Sequence, residues 1–253
     1  MIEELQKAGL WKRISAALFD MIILGIVIVG VAYLLSLVTG YDGYSRTVSD
    51  SYEKYETAYN VTFELTQEEF DALSSEERMR YDEAYQALCS DEAAMYAYNM
   101  LVNLTLLISS ISILIGYLAT EFAVPLMLGD GQTLGKKIFG IALMRTDRIR
   151  VTAPLLFIRT ILGKYTVETM VPVLIIIMIF FNMAGLMAVL SLGGILLLEI
   201  VLMIATRTDS LIHDLLAKTV VVDYASQRIF SSEEELLEYK KKLHAEHVAR
   251  QEY

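Results

Sequence analysis

Apolar residues along the chain form long runs, and polar residues fill the segments between those runs. The first run covers residues 14–38 and contains one charged residue, Asp20. The second run covers residues 101–128 and also contains one charged residue, Glu121. About 20 helical residues cross the hydrocarbon core of a bilayer, so each run is long enough to form one membrane span.

The third apolar region, residues 171–206, is too long for one span and too short for two. A single helix over this region would measure about 54 Å, whereas the hydrocarbon core is about 30 Å thick. We predict a break at residues 182–185, where Asn182 and Gly185 supply a polar turn-former and a glycine. The third span then begins upstream and covers about 154–181, and the fourth covers about 184–206.

Charged residues are distributed unevenly, and their distribution predicts the orientation of the chain. Residues 39–96 hold 14 acidic and 4 basic residues. The other basic residues cluster before the first run, between residues 129 and 170, and after residue 206. Because lysine and arginine stay on the cytoplasmic side of membrane proteins, we expect an acidic outer loop and cytoplasmic termini. An even number of spans agrees with this orientation, because it returns the basic C-terminal segment to the cytoplasm.

We therefore predict an all-α polytopic membrane protein with four transmembrane helices, cytoplasmic N- and C-termini and a helical outer loop. Its predicted parts are a cytoplasmic N-terminus with span one (1–38), an acidic extracytoplasmic loop (39–100), spans two to four with a basic cytoplasmic loop (101–206), and a cytoplasmic His-Asp segment with a charged tail helix (207–253). Residues 66–69 and 74–77 match the capping box, which predicts two short helices in the loop. We expect this loop to be too polar for a core of its own. A third capping box at residues 232–235 predicts the tail helix.

Composition and motifs argue against several classes of function. The net charge of −10 argues against nucleic-acid binding, and a single cysteine, Cys89, excludes a cysteine-cluster metal site. Residues 129–136 resemble a phosphate-binding loop but lack its first glycine, and no Ser or Thr follows the lysine. His213 and Asp214 suggest an acid–base pair, but adjacent helical residues diverge by about 100°. We therefore expect no enzymatic activity, no metal site and no cofactor.

Three carboxylates lie within the predicted spans, where a charge is costly and usually has a function. At 1.5 Å per residue, Asp20, Glu121 and Glu199 all fall roughly 10–12 Å from the cytoplasmic boundary. The nearby cations are Arg13, Lys136 and Arg159. These residues predict a polar cavity that faces the cytoplasm and binds cations or protons. The alternative is structural, with buried ion pairs that fix the register of the helices.

Four short segments carry a further pattern through their order and spacing. They are residues 11–20, which contain Arg13-x-x-Ala16-x-x-x-Asp20; Glu121 followed by residues 131–141; Phe157-Ile-Arg159; and residues 211–221, which contain His213-Asp214. Together they resemble the RDD family of bacterial integral membrane proteins, named for an arginine and two aspartates. The chain departs from the family pattern in its long outer loop and in Glu199. It also has Arg148 and Lys218 where the family often has glycine.

The resemblance implies a helical bundle in the bacterial cytoplasmic membrane, and some members of the family are linked to sodium/proton antiport. It implies that Arg13, Asp20 and Asp214 are the residues for which the family is named. The residues that would support them are Glu121, Arg159, His213, Thr133, Gly135 and Lys136.

The leading hypothesis is a lipid-embedded transporter that exchanges a monovalent cation, such as sodium, for protons. Asp20 and Glu121 would carry the proton and the cation in turn, and Arg13 and Arg159 would tune the pKa values of these two carboxylates. The full set of predicted ion-binding carboxylates is Asp20, Glu121, Glu199 and Asp214. Four spans make a small transporter, so a homodimer is expected. The rival hypothesis is a non-transporting scaffold or accessory subunit that binds a protein partner through the acidic outer loop.

Overall fold

The computed structural model describes residues 5–180, 185–206 and 208–251. Four helical stretches are long and apolar enough to cross a membrane, and they confirm the predicted all-α, four-span fold. These stretches are Leu10–Thr39, Glu92–Leu128, Ala153–Phe180 and Gly185–Ala205. The predicted break at Asn182 lies outside the described residues.

In chain order the elements are α1 (Leu10–Thr39), α2 (Tyr41–Tyr59), α3 (Gln67–Ala72), α4 (Ser75–Ser90), α5 (Glu92–Tyr117), π1 (Leu118–Ala123), α6 (Val124–Leu128), α7 (Leu134–Ile138), β1 (Ile141–Arg145), α8 (Ala153–Phe157), π2 (Ile158–Met170), α9 (Val171–Phe180), α10 (Gly185–Ala205), α11 (Ile212–Leu216), β2 (Thr219–Asp223) and α12 (Glu233–Gln251).

Two of the four spans change helix type part-way along their length. The second span passes from α5 through π1 into α6, and the third passes from α8 through π2 into α9. In a π-helix each backbone hydrogen bond reaches five residues along the chain instead of four, and such turns occur frequently at functional sites. Glu121 lies in π1 and Arg159 in π2, so each π segment carries an ionisable residue that the sequence analysis named as a candidate site residue.

A two-stranded antiparallel sheet joins segments that lie far apart in the sequence. β1 pairs with β2 in a register that places Leu143 opposite Val221. The N-terminal segment runs beside β2, because the N–H of Ala8 donates to the carbonyl of Val221 at 3.1 Å. Alternate strand residues enter different hydrophobic clusters, so both faces of the sheet are buried. One cluster contains Ala8, Ala16, Ile141, Leu143, Leu156 and Val221; the other contains Ala142, Met144, Val220 and Val222.

The chain forms two compact units, one of residues 1–28 with 113–253 and one of residues 29–112. The second unit contains the predicted outer loop. Both predicted capping boxes are confirmed: Thr66 caps α3 with Glu69, and Ser74 caps α4 with Glu77. The loop has a third helix, α2, that was not predicted.

The expectation that the loop lacks a core is wrong. The ring of Phe63 makes edge-to-face contacts with Tyr52 at 5.4 Å and Tyr81 at 5.6 Å between ring centroids. Ala84 and Leu88 of α4 are buried as well. Aromatic side chains supply a large apolar area per residue, so a segment rich in charge still forms a small core.

The tail helix α12 begins close to the predicted capping box. The hydroxyl of Ser232 accepts a hydrogen bond from the N–H of Glu235 at 3.3 Å. The Glu235 carboxylate in turn accepts from the N–H of Ser231 at 2.8 Å, one residue before the position that the motif predicts. The charged tail of the chain is therefore helical.

Candidate functional site

A cavity of about 370 Å³ lies within the unit formed by residues 1–28 and 113–253. It is lined by four carboxylates and four cationic side chains. The carboxylates are Asp20, Glu121, Glu168 and Asp214, and the cations are Arg13, Lys136, Arg159 and Lys164. Ionisable groups inside a membrane bundle are expensive unless each has a partner, so the pairing of these eight groups decides what the cavity can do.

Asp20 of α1 caps the turn that leads into α7. The hydroxyl of Thr133 donates to Asp20 Oδ2 at 2.5 Å, and the backbone N–H of Gly135 donates to Oδ1 at 2.8 Å. A Cβ on Gly135 would lie 2.9 Å from Oδ1 and would clash with the carbonyl of Ala16. The glycine therefore allows the turn to approach α1 closely, and both carboxylate oxygens of Asp20 are in use.

Glu121 is bound mainly by Lys164 of π2. The ammonium of Lys164 lies 2.6 Å from Glu121 Oε1, and Arg159 Nη1 lies 3.9 Å from Oε2. Thr160 adds a contact between the same two spans, because its hydroxyl donates to the backbone carbonyl of Glu121 at 3.0 Å. Within the described residues Oε2 has no hydrogen-bond partner, so one carboxylate oxygen of Glu121 remains available.

Arg159 joins the third span to the segment that follows the fourth. Its Nε donates to Asp214 Oδ1 at 2.9 Å, and the hydroxyl of Thr219 donates to the same oxygen at 3.0 Å. Burial alone would raise the pKa of Asp214, but the Arg159 guanidinium and His213 together hold that pKa well below its usual range. Asp214 is therefore a charged group committed to its arginine.

His213 packs against π2 through a position that tolerates no side chain. A Cβ on Gly163 would lie 2.6 Å from His213 Cα. The imidazole Nδ1 lies 2.7 Å from both carboxylate oxygens of Glu168. Burial and the Arg159 guanidinium lower the pKa of His213, against the opposite effects of Asp214 and Glu168.

The structure corrects the expectation that the side chains of His213 and Asp214 diverge. His213 Nε2 lies 3.5 Å from Asp214 Oδ2. Both side chains line the cavity from the short helix α11. His213 also contacts Glu168, and Asp214 also contacts Arg159.

Lys136 has no such partner among the residues described. Its side chain is buried, and its Nζ has no hydrogen-bond partner within the described part of the chain. Burial and the Arg159 guanidinium lower the pKa of Lys136 to about 7, although Glu121 and Asp20 act in the opposite direction. The charge of this buried lysine is therefore not neutralised by a hydrogen-bonded contact within the described residues.

The residues of this cavity lie in a part of the chain that matches a known protein family. A sequence model of the RDD family matches residues 7–218. This chain belongs to the RDD family. The matched range contains all eight charged groups of the cavity. No curated protein and no solved structure matches the chain.

The cavity of this RDD protein collects most of the residues singled out from the sequence. Arg13, Asp20, Glu121, Lys136, Arg159, His213 and Asp214 all line it, and Thr133 and Gly135 hold Asp20. Glu199 does not line the cavity, although its carboxylate oxygens are buried and Glu168 acts on it electrostatically. Across the described ranges, no three His, Cys, Asp or Glu side chains are arranged to hold a metal ion.

Sequence reasoning missed Lys164 and Glu168 in this RDD protein. On an α-helix, residues five positions apart diverge by about 140°, so Lys164 would not share a face with Arg159. The wider π turn brings residues four or five apart onto one face, which places Arg159, Lys164 and Glu168 in the same cavity. The available signal was the presence of two further charges, at 164 and 168, inside the predicted third span.

Proposed function

We propose that this RDD protein exchanges a monovalent cation, with sodium as the first candidate, for protons across the bacterial cytoplasmic membrane. The observation that carries the proposal is the cavity between membrane-spanning segments, lined by Glu121 and Glu168 from two different spans. A carboxylate at membrane depth holds either a proton or a cation, because both neutralise a charge that is costly in that environment. Exchange between these two occupants is antiport.

Glu121 is better suited than Asp20 to carry the exchanged ion. Both oxygens of Asp20 accept hydrogen bonds from the N-terminal end of α7, so Asp20 acts as a positioning residue. Glu121 has one oxygen without a hydrogen-bond partner among the described residues, and its other oxygen is bound by Lys164. An entering cation would compete with Lys164 and Arg159 for the Glu121 carboxylate.

Glu168 and Glu199 supply a second pair of carboxylates. They influence one another electrostatically, and both carboxylate oxygens of Glu199 are buried. Two neighbouring carboxylates repel, and a proton or a monovalent cation between them relieves the repulsion. We propose that this pair of carboxylates forms a second binding position for the ion, after Glu121.

The orientation follows from the charge distribution. Basic residues flank the cavity-forming segments, whereas residues 39–96 are strongly acidic. The positive-inside rule then places both termini in the cytoplasm and residues 39–100 outside. We further propose that the protein works as a homodimer, because four spans form a small transporter. We also propose that it has no enzymatic activity. The mass of the detergent-solubilised particle, corrected for bound detergent, tests the dimer.

Transport is tested with the purified chain in liposomes that contain a pH-sensitive dye. Sodium, lithium and potassium gradients are applied in turn, and proton movement is recorded. We expect a cation-driven signal that Glu121→Gln and Glu168→Gln abolish. Glu68→Gln changes an exposed carboxylate of the other unit and serves as the matched control. A signal that persists unchanged in both cavity variants contradicts the proposal.

A second candidate function is a membrane scaffold that binds a protein partner through residues 39–100. It is favoured by the separate compact unit of residues 29–112, which has an aromatic core and a pocket of about 130 Å³ lined by Tyr52 and Tyr85. Replacing residues 42–92 by a short flexible linker separates the two functions. A transporter keeps its ion exchange after this deletion, whereas a scaffold loses the proteins that copurify with it.

A further inference from the structure

Two cationic atoms in the cavity lack an acceptor. Lys136 is 7% exposed and Arg159 is 2% exposed. Neither Lys136 Nζ nor Arg159 Nη1 has a hydrogen-bond partner among the residues that the structure describes. Arg159 is paired with Asp214 through its Nε, whereas the ammonium of Lys136 has no such partner in the described ranges. A buried charge without a partner is strongly destabilising, so the environment of Lys136 favours a ligand of the opposite charge.

Most oxygens of the nearby carboxylates already have partners. Asp20 accepts from Thr133 and Gly135, and Asp214 accepts from Arg159 Nε. Glu121 is held by Lys164 at 2.6 Å, which offsets the repulsion that its free oxygen would exert on an anion. The cationic atoms without a hydrogen-bond acceptor among the described residues are Lys136 Nζ and Arg159 Nη1, and Arg13 also lines the cavity.

Beside Arg13 and Asp20, the part of the cavity wall formed by α1 carries an apolar stripe. Ile14, Met21 and Leu24 form it, and Met21 is 64% exposed. From Ile14 to Leu24 the helix rises about 15 Å, which is half of a hydrocarbon core of about 30 Å. This wall therefore has the length of one acyl chain of a single leaflet, and it starts one residue after Arg13.

We propose that the cavity binds a phosphate-bearing anion, with the phosphate at Lys136, Arg159 and Arg13. The α1 wall favours an anionic phospholipid, whose acyl chain would lie along Ile14, Met21 and Leu24. Basic pockets between membrane helices on the cytoplasmic side are known binding sites for anionic headgroups. The site does not depend on the cation exchange proposed above, although a bound phosphate would also draw Arg159 away from Glu121.

Binding is measured on the purified full chain in a neutral detergent. The probes are phosphatidylglycerol, phosphatidylcholine and inorganic phosphate, and retained lipid is counted by native mass spectrometry alongside thermal stability. Lys136→Gln and Arg13→Gln remove a proposed contact, and Lys136→Arg keeps the charge. Lys137→Gln is the matched control, because Lys137 is the adjacent residue of α7 and is exposed.

We expect phosphatidylglycerol to bind in preference to phosphatidylcholine. Because a hydrogen bond to a charged group contributes more than a neutral one, Lys136→Gln should weaken this binding about tenfold or more. Lys137→Gln and Lys136→Arg should bind as the wild type does. Inorganic phosphate that stabilises the protein through Lys136, while phosphatidylglycerol does not, assigns the same site to a free anion.

Two results would overturn the proposal. One is equal retention of both phospholipids without any effect of inorganic phosphate. The other is unchanged phosphatidylglycerol binding in Lys136→Gln and Arg13→Gln. Should Lys136→Gln fail to fold, Arg13→Gln measured against Lys136→Arg decides the question, since Arg13 is only half-buried.

Discussion

Asp20 and Gly135 lie 115 residues apart in the sequence, yet the N–H of Gly135 donates a 2.8 Å hydrogen bond to the Asp20 carboxylate. This bond ties the first span to the first turn of α7. It also explains why that turn has no side chain at position 135, since a Cβ there would meet Asp20 and the backbone of Ala16.

Gly135→Ala should therefore destabilise the protein. The added methyl group forces α1 and α7 apart, and overpacking of this kind costs about 1–3 kcal/mol. Thermal unfolding in detergent measures the effect. Gly25→Ala is the control, because a Cβ at Gly25 meets nothing within 4 Å. Equal melting temperatures for the two variants would show that the close approach at Gly135 is not required.

Asp214→Asn should lower stability by about 3–5 kcal/mol, because it removes the closest charged partner of the buried Arg159. The control is Asp223→Asn, which breaks an exposed ion pair with Lys12 and should cost about 1 kcal/mol or less. Chemical unfolding of both variants in detergent gives the comparison. Similar losses for the two variants would mean that the buried pair contributes no more than the surface pair.

The stability of the protein should depend on pH through Lys136. Its pKa is lowered to about 7 by burial and by Arg159, whereas an unfolded lysine titrates near 10.5. Between these values the unfolded chain binds a proton that the folded chain has released, so stability rises with pH from about 7 to 10.5. The penalty for the buried charge is fully present below pH 7.

Lys136→Met should consequently stabilise the protein at pH 6 and have little effect near pH 10. The difference amounts to about 1.4 kcal/mol for each unit by which the pKa is lowered. Melting temperatures of the wild type and the variant across this range, in a zwitterionic detergent, test it. Lys137→Met, at an exposed position, should show no such dependence. A variant effect that is the same at pH 6 and pH 10 contradicts the prediction.

Phe63→Ala should loosen α2 and α4 together. The ring of Phe63 contacts those of Tyr52, Tyr81 and Tyr85, and each aromatic pair contributes about 0.5–1.5 kcal/mol beyond its buried area. Hydrogen exchange of the backbone amides in the full chain should become faster in both helices. Met79→Ala, at a residue that is 60% exposed, should leave exchange unchanged. Faster exchange in only one helix would show that Phe63 does not join them.

Hydropathy was sufficient to predict the spans because a bilayer imposes both length and composition on a helix. The third and fourth spans were predicted at 154–181 and 184–206, and the structure has Ala153–Phe180 and Gly185–Ala205. Capping boxes located α3 and α4 for a similar reason, since the motif satisfies local backbone groups within four residues.

Helix α2 was missed although its signal is present. Tyr41, Tyr44, Val48, Tyr52, Tyr55 and Tyr59 follow one another at spacings of three and four residues. This is the period of an amphipathic helix whose apolar face is aromatic. The abundance of acidic residues in the segment hid the pattern, because composition suggested a loop.

The strand pair and the polar contacts of Asp20 could not be predicted from one sequence. The run Thr219-Val-Val-Val-Asp223 favours a strand by its β-branched residues, but its partner β1 lies almost 80 residues earlier. The residues around each strand give no indication of a partner at such a separation in the sequence. The site was predicted as a set of depths along separate helices, which placed Asp20, Glu121 and Glu199 in one cavity. Asp20 and Glu121 line the observed cavity and Glu199 does not, and depth alone did not reveal which residue each one binds.

The hydrogen bond between Ala8 and Val221 can form only after both residues have been translated, which sets an order of events during biosynthesis. A ribosome adds about 5–20 residues per second, so Val221 is made about 10–40 s after Ala8. The first membrane helix is therefore inserted long before the strand that fastens its N-terminal end has been translated. During that interval the nascent chain relies on the bilayer itself to retain α1, and the sheet closes only after β2 has been translated.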